Sequence, residues 1–312
     1  MTKKQSWTAD RIPDQTGRLF VVTGANSGLG LATTRELARR GGRVVLAVRD
    51  EEKGRRAVDE LVAAGVAPDL LDVRPLDLAD LDSVRAFAGR MREEHDRLDV
   101  LVNNAGVMAP PRTLSPQGHE LQFATNHLGH FALTGLLLDL LAAGRDPRVV
   151  TVSSINHRQG RLRFDDLAGE RGYAPMAFYN QSKFANAVFG QELHRRLTGT
   201  GSPVRGVLAH PGYTATRLQI RDTSGLLRWV FTHLGNPHIA QSPERGALPQ
   251  LYAATEPGLA GGEFIGPDGM AELRGAPTRV RLSEAAADAG TGRRLWGVSE
   301  DLTGVRFPVT AS

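Results

Sequence analysis

Leu19-Phe20-Val21-Val22-Thr23-Gly24-Ala25-Asn26-Ser27-Gly28-Leu29-Gly30 decides how the rest of the chain is read. Leu19–Val22 is a short apolar strand, and helix-forming residues run from the last glycine to Arg40. A strand, a glycine loop and a helix in that order aim the first helical amides at a phosphate. Gly24 suits the tight turn, Gly28 permits close backbone approach, and Gly30 lets the helix pack on the strand. The spacing is G-x-x-x-G-x-G, not the more common G-x-G-x-x-G, and a plain strand-to-helix turn is the alternative. Its place directly after the first strand favours a phosphate loop.

Further strands follow at regular intervals. Arg43–Val48 is the second, ending in Arg49-Asp50. An acidic residue at this strand end normally accepts from the adenosine ribose of NAD, whereas Arg49 can fork onto a 2′-phosphate and favour NADP. The competing reading pairs Arg49 with Glu52 or Asp50. Glu51–Ala64 is a charged helix, Leu71–Leu76 a third strand, and Asp77-Leu78 lies just past its end. Leu81, Val84, Phe87, Ala88 and Met91 recur at helical spacing. Leu98–Val102 is the fourth strand, closed by Asn103-Asn104-Ala105-Gly106. Strands alternating with helices in this way predict right-handed βαβ units: one α/β domain, a doubly wound parallel sheet with helices on both faces. Ligands of such sheets sit outside the strand carboxyl ends, where each of these motifs falls.

In the second half, Gly118–Ala143 reads as one long helix carrying Asn126, His127 and His130. The histidines could suggest a metal pair, but no third ligand accompanies them, and they read as packing or surface residues. Val149–Val152 is the fifth strand, ending in Ser153-Ser154, a pair that can equally serve as turn or cap residues. A long connection, Ile155–Met176, leads to a helix with Tyr179 and Lys183. Val204–Ala209 is the sixth strand, and His210–Thr216 breaks out of it. Arg217–Ala240 is amphipathic, either a substrate lid or an ordinary packed helix. Pro243–Thr255 reads as helix, Gly262–Ile265 as a last strand and Ser283–Glu300 as a final helix.

Tyr179 and Lys183, four apart on a helix, share one face one turn apart. A free phenol titrates near ~10, too high for proton exchange at neutral pH. A close, partly desolvated cation supplying roughly 3–4 kcal/mol would lower it by about 2–3 units, giving a usable general acid/base. Tyr-x-x-x-Lys also occurs by chance, so the pair needs the company of the other motifs.

Bulk properties restrict the alternatives. With 312 residues, 41% hydrophobic and 6% aromatic, the chain has material for a substantial core. Its net charge of +4 is scattered rather than clustered, which argues against nucleic acid as a partner. The chain has no cysteine, so disulfides and thiolate chemistry are excluded. MTKKQSWTADRIPDQTGR is polar, and the longest apolar run, Ala132–Ala143, is too short to span a bilayer. The expectation is a cytoplasmic protein without a membrane span.

Together TGANSGLG (Thr23–Gly30), NNAG (Asn103–Gly106), Asn126, Ser153-Ser154, YNQSK (Tyr179–Lys183) and PGYTAT (Pro211–Thr216) resemble the short-chain dehydrogenase/reductase family. They occur in the family's order over roughly Phe20 to Thr216. Arg163–Leu167, Arg49 and the TNHLGHF helix are similar to its retinol-dehydrogenase-like branch, which often carries an N-terminal membrane anchor. The resemblance implies a catalytic set of Asn126, Ser154, Tyr179 and Lys183. Tyr179 would exchange the proton with the substrate oxygen, Ser154 would hydrogen-bond that oxygen, and Lys183 would lower the Tyr179 pKa and bind the nicotinamide ribose. Asn126 would hold a water behind Lys183. The glycine loop would embrace the pyrophosphate. Asp77 and Leu78 would lie at the adenine, Asn104, Ala105 and Gly106 at the ribose, and Pro211, Gly212, Thr214 and Thr216 at the nicotinamide amide.

The expected activity is NADP(H)-dependent interconversion of an alcohol and its ketone or aldehyde on a small, lipophilic substrate, with NAD(H) as the other cofactor. A nucleotide-sensing or scaffolding protein on the same fold is the alternative, though a sensor needs the glycine loop and not the proton relay. A nucleotide-sugar epimerase would space the glycines differently and carry a larger C-terminal domain. The long helices at 118–143 and 177–198 could supply a symmetric interface for a homodimer or homotetramer.

Overall fold

The structure, a computed structural model, describes residues 6–214 and 241–308. One eight-stranded sheet runs in the order β3-β2-β1-β4-β5-β6-β7-β8. β1 (Leu19–Thr23), β2 (Arg43–Val48), β3 (Leu71–Pro75), β4 (Val100–Asn103), β5 (Arg148–Val152), β6 (Arg205–Ala209) and β7 (Phe264–Pro267) are parallel. β8 (Pro277–Arg279) closes one edge antiparallel to β7. It is three residues long, too short for an alternating pattern to announce it. The strand order reverses between β1 and β4, which opens a crevice at their carboxyl ends.

Around the sheet lie α1 (Gly28–Arg39), α2 (Glu51–Ala63), α3 (Leu81–Glu94), α4 (Leu121–Phe123), α5 (Gly129–Leu136), α6 (Leu138–Ala142) and α7 (Pro175–Gly199). After the undescribed stretch come α8 (Pro243–Gly246), α9 (Leu248–Thr255), α10 (Glu284–Ala287) and α11 (Ala289–Thr303). Strand periodicity sorts the core into two layers. Val21, Leu101 and Val149 face α3, α5 and α7 through Phe87, Phe131 and Phe189. Phe20, Val22, Val100, Val102 and Val150 face α1 and α9 through Leu37 and Leu251. Both faces are covered, as a parallel sheet requires.

The single helix expected over Gly118–Ala143 is divided. The Glu120 carboxylate accepts the N–H groups of Gln122 and Phe123 at 3.0 and 2.8 Å, so the helix starts only at Leu121. It then passes through a π-helical turn, Ala124–Leu128, before α5, and breaks again at Leu137. Such turns inside helices often mark functional sites, and this one carries Asn126. The final helix is divided too, because Asp288 stops α10 and caps α11 by accepting from Thr291 N–H at 2.6 Å.

The helices expected to offer a symmetric interface have no free apolar face in their middle. Every residue from Gln181 through Gly190 of α7 is buried, as is every residue from Gly129 through Gly135 of α5. α11 and the strand-like tail beyond it cover them: Trp296 and Phe307 meet edge-on with centroids 4.5 Å apart, and Phe131 lies 4.8 Å from Phe307. The half-buried and exposed residues of these helices lie toward their ends, as at Asp139 and Pro175–Ala177. No helix among the described residues is long and apolar enough to cross a membrane.

His127 and His130 are buried, His127 hydrogen-bonding Ser299 at 2.8 Å within an aromatic cluster. Burial lowers His127 to about 3 and His130 to about 4. An unfolded chain protonates both near 6.5, so it binds more protons than the folded chain as pH falls below that value. Folding stability should therefore drop between about pH 6.5 and 4, each histidine adding up to about 1.4 kcal/mol per pH unit. Urea unfolding across this window tests it: His127→Gln should give a visibly shallower slope, and parallel slopes would refute the assignment.

Candidate active site

The glycine loop is braced from below by Thr23, the last residue of β1. Its hydroxyl accepts the N–H groups of Asn104 and Ala105, both at 2.9 Å, and faces His130 Nε2 at 2.9 Å. His130 Nδ1 lies 3.0 Å from the Asn126 carbonyl. A neutral ring satisfies both contacts only if Nδ1–H donates to Asn126 and Nε2 accepts the Thr23 hydroxyl proton. Asn104 Nδ2 donates to the Thr23 carbonyl at 2.7 Å, and Asn104 Oδ1 accepts from Gln250 at 3.2 Å. The Asn104 side chain thus holds the loop together. Thr23, His130 and Gln250 are site-bracing residues that sequence reading missed; a threonine at the strand end, and a histidine four residues after Asn126, were the available signals.

The loop fits a pyrophosphate. Gly24 and Gly28 lie at φ 66° and 54°, where side chains are strained. A Cβ on Gly30 would collide with the Gly24 carbonyl oxygen and come within 2.7 Å of Asn104 Nδ2. Ser27 is the N-cap of α1, yet its hydroxyl makes no capping bond, leaving first-turn donors for a ligand. Asn26 and Leu29 sit on the same turn, Leu29 packing partly into the core.

Ser154, Tyr179, Lys183 and Asn126 converge beyond the carboxyl ends of β4 and β5. Ser154 follows β5, and Tyr179 and Lys183 lie on one face of α7. Tyr179 and Ser154 are joined by a side-chain hydrogen bond. Ser154 also accepts from Asn156 N–H at 3.2 Å, so it caps the 3₁₀ turn Ile155–Gln159 as well. Ser153 points the other way, donating to the Lys183 carbonyl at 2.7 Å. The Asn126 side chain exchanges two bonds with the Val107 backbone, at 2.8 and 2.9 Å, and donates to Ser182 Oγ at 2.8 Å. Ser182 in turn donates to the Tyr179 carbonyl at 2.8 Å, which links the π turn to α7. A Cβ on Gly106 would lie 3.2 Å from Asn126 Oδ1 and 3.5 Å from Lys183 Nζ, so the Asn103–Gly106 turn closes over both.

The electrostatics differ from expectation in sign. Tyr179 and Lys183 are only 9% and 5% exposed. Burial pushes the Tyr179 phenol up to about 12, the Ser154 hydrogen bond opposing it in part. The same burial lowers Lys183 to about 8. Lys183 Nζ is turned to the Val152 carbonyl at 3.2 Å, and its charge does not offset the desolvation of the phenolate. The protein's own groups therefore hold Tyr179 as a neutral phenol beside a Lys183 that is mostly protonated at neutral pH.

At the adenosine end, Arg49 is exposed and neither hydrogen-bonded nor ion-paired among the described residues. Its two alternative partners are occupied: Asp50 caps α2 and pairs with Lys53, and Glu52 pairs with Arg56. Asp77 follows β3 and takes the Ala79 N–H at 2.9 Å, while the Leu78 side chain is in the core and its carbonyl packs against Gly129. At the opposite end, Gly212 turns at φ 67°, and Thr214 is buried and donates to the Pro211 carbonyl at 3.0 Å. Thr216 and the lid expected at 217–240 lie outside the described residues.

A dinucleotide loop at the β1/β4 crevice beside a Ser–Tyr–Lys–Asn cluster defines a nicotinamide-dependent oxidoreductase, and the comparisons agree. Residues 18–226 match the family model described as short chain dehydrogenase, and the chain belongs to that family. Within it the chain is retinol-dehydrogenase-like. It is 41% identical over 297 residues to human retinol dehydrogenase 13, covering 94% of this chain and 86% of the relative. It is 42% identical over 299 residues to mouse polyprenol dehydrogenase, with 94% and 86% covered. The crystal structure of an uncharacterized protein from Mycobacterium Paratuberculosis is similar, with a TM-score of 0.81, 44% identity, and 97% and 100% of the two chains covered.

Proposed function

We propose that this enzyme, a single domain, prefers NADP(H) and interconverts a lipophilic, long-chain alcohol of isoprenoid type with its carbonyl compound, in the cytoplasm. The observation that carries the reading is the gathering of Ser154, Tyr179, Lys183 and Asn126 beyond the carboxyl ends of β4 and β5, where the glycine loop opens. Retinol and polyprenol, in the names of two relatives, are both apolar alcohols, which supports the substrate class.

The bound dinucleotide supplies or accepts the hydride. Gly24, Ser27, Gly28 and Gly30 would hold its pyrophosphate, with Asn26 and Leu29 on the same turn. Asp77 and Leu78 would border the adenine, Asn104, Ala105 and Gly106 the ribose, and Pro211, Gly212 and Thr214 the nicotinamide amide. The Tyr179 phenol donates its proton to the carbonyl oxygen while Ser154 donates a second hydrogen bond to it, stabilising the developing charge. Lys183 would bind the nicotinamide ribose and, with a water held by Asn126, would return a proton to Tyr179. A phenol held near 12 stays protonated at neutral pH, the form that can donate to a carbonyl oxygen.

Arg49 supports NADP(H), since an unengaged guanidinium at the end of β2 is placed to fork onto a 2′-phosphate. Fluorescence titration tests this. Arg49→Ala should weaken NADPH binding about 10–100-fold, the equivalent of a lost charge-assisted bond, and leave NADH within about threefold. Equal weakening of both, or tighter binding of NADH by the wild type, would overturn the preference.

A further inference from the structure

Glu272 occupies an odd position. It lies in the short turn Met270–Glu272 after β7, and both Ala271 and Glu272 adopt left-handed backbone angles, φ 51° and 58°. Non-glycine residues keep such angles only where surrounding contacts over-determine them. Here the turn's own backbone bonds, Glu272 N–H to the Gly269 carbonyl and Leu273 N–H to the Met270 carbonyl, are joined by two bonds to the Glu272 carboxylate. Glu272 Oε1 accepts from Arg158 Nη2 at 2.6 Å, and Oε2 accepts from His210 Nε2 at 2.9 Å.

Those two partners belong to the two sides of the reaction site. Arg158 sits on the 3₁₀ turn that starts at Ser154, and His157 on the same turn reaches back through Nδ1 to the Ser154 carbonyl at 2.7 Å. His210 directly follows β6 and immediately precedes Pro211–Thr214. Its ring is fully buried, with Nδ1 accepting the Gly212 N–H at 3.2 Å, which leaves Nε2–H to donate to Glu272. Phe264 of β7 lies under both imidazoles, 5.3 Å from His157 and 5.1 Å from His210. The turn also presses on the post-β6 loop directly: Tyr213 N–H donates to the Leu273 carbonyl at 2.8 Å, and a Cβ on Gly212 would sit 2.5 Å from that oxygen.

We propose that Glu272 is a positioning residue that ties the turn carrying Ser154 to the loop bordering the nicotinamide. The inference deepens the reading above and rests on it. A C-terminal segment beyond the family's motif-bearing stretch thereby sets the distance between the proton-handling group and the hydride-handling end. The Arg158–Glu272 pair is partly exposed, so it contributes little to global stability, and its loss should be read in geometry rather than in unfolding.

Glu272→Gln is the sharp test. Glutamine keeps the shape and can still accept from Arg158, but it turns an N–H toward His210 Nε2–H. His210 cannot change tautomer without opposing the Gly212 N–H. In the full-length chain, hydrogen exchange should quicken in both 154–160 and 210–214, segments far apart in sequence. With NADPH and a long-chain isoprenoid aldehyde, kcat should fall about 10–100-fold, the cost of a small misplacement, while the NADPH dissociation constant stays within about threefold and Tm within a few degrees. Arg158→Met should reproduce the loss, and the double variant should add little to either single change. Unaltered exchange in 154–160 overturns the proposal, as does quickened exchange with unchanged kcat, or a kcat loss matched by a collapse of Tm. A wild type that reduces no carbonyl refutes the functional reading instead, and the exchange measurement still decides whether the tie exists.

Discussion

Tyr179→Phe should lower carbonyl turnover by roughly 10²–10⁴-fold, the usual contribution of a positioned general acid, and leave NADPH affinity within about threefold. Phenylalanine fills the same buried space and loses only the hydroxyl. Ser154, the hydroxyl's partner, keeps its bond from the Asn156 N–H, so the turn beneath it stays capped. The α7 backbone at this point is held by Ser182 Oγ on the Tyr179 carbonyl, which the substitution does not touch. Steady-state kinetics beside a fluorescence titration separates chemistry from binding. A variant retaining near-full turnover would remove Tyr179 from the proton transfer. A parallel loss of NADPH affinity would make its role structural.

Gly30→Ala is expected to have the second-largest effect, and with the opposite sign from ordinary helix propensity. In an exposed helix interior the change gains about 0.5–1 kcal/mol. Here the new methyl meets the Gly24 carbonyl and lies 2.7 Å from Asn104 Nδ2, groups that belong to the loop itself. Overpacking of this kind costs about 1–3 kcal/mol, and relief comes only by spreading the turn that would hold the pyrophosphate. NADPH affinity should fall by about 10–100-fold, because close backbone approach is what the loop provides. Gly89→Ala in α3 is the control: nothing lies within 4 Å of its Cβ, so it should be neutral or stabilising. Unchanged affinity in Gly30→Ala would mean that the loop is a strand-to-helix turn and no more.

Much of this site was legible in the sequence because its parts are local. Leu19–Val22 is apolar at every position, since a central parallel strand is covered on both faces, and it lies between β2 and β4. The glycines at 24, 28 and 30 announce a turn by their own conformational needs, and Tyr179 and Lys183 share a face by helical geometry alone. The short-chain dehydrogenase/reductase resemblance carried Asn126 and Ser154 into the set, and Ser182 links Asn126 to the Tyr179 turn of α7.

What the sequence did not disclose depends on partners distant along the chain. His127 and His130 could be read only as packing or surface residues. The structure buries both, and the Thr23 hydroxyl and Asn126 carbonyl give His130 a bracing task. The long helix over 118–143 hid a π turn because hydrophobic spacing cannot register one inserted residue. Helical spacing in 118–143 and 177–198 could not show that α11, with Trp296, and the tail carrying Phe307 pack over their middles.

The sequence by itself determined the parallel sheet, the phosphate-loop position and the order of the reactive residues, since strand periodicity, glycine φ and helix spacing are properties of neighbours in the chain. Only the tertiary structure decided the proton state of Tyr179 and the coupling of Ser154 to the β6 loop through Glu272. Desolvation depends on everything that surrounds a group, and for Tyr179 it outweighs the nearby lysine that the spacing brought into view.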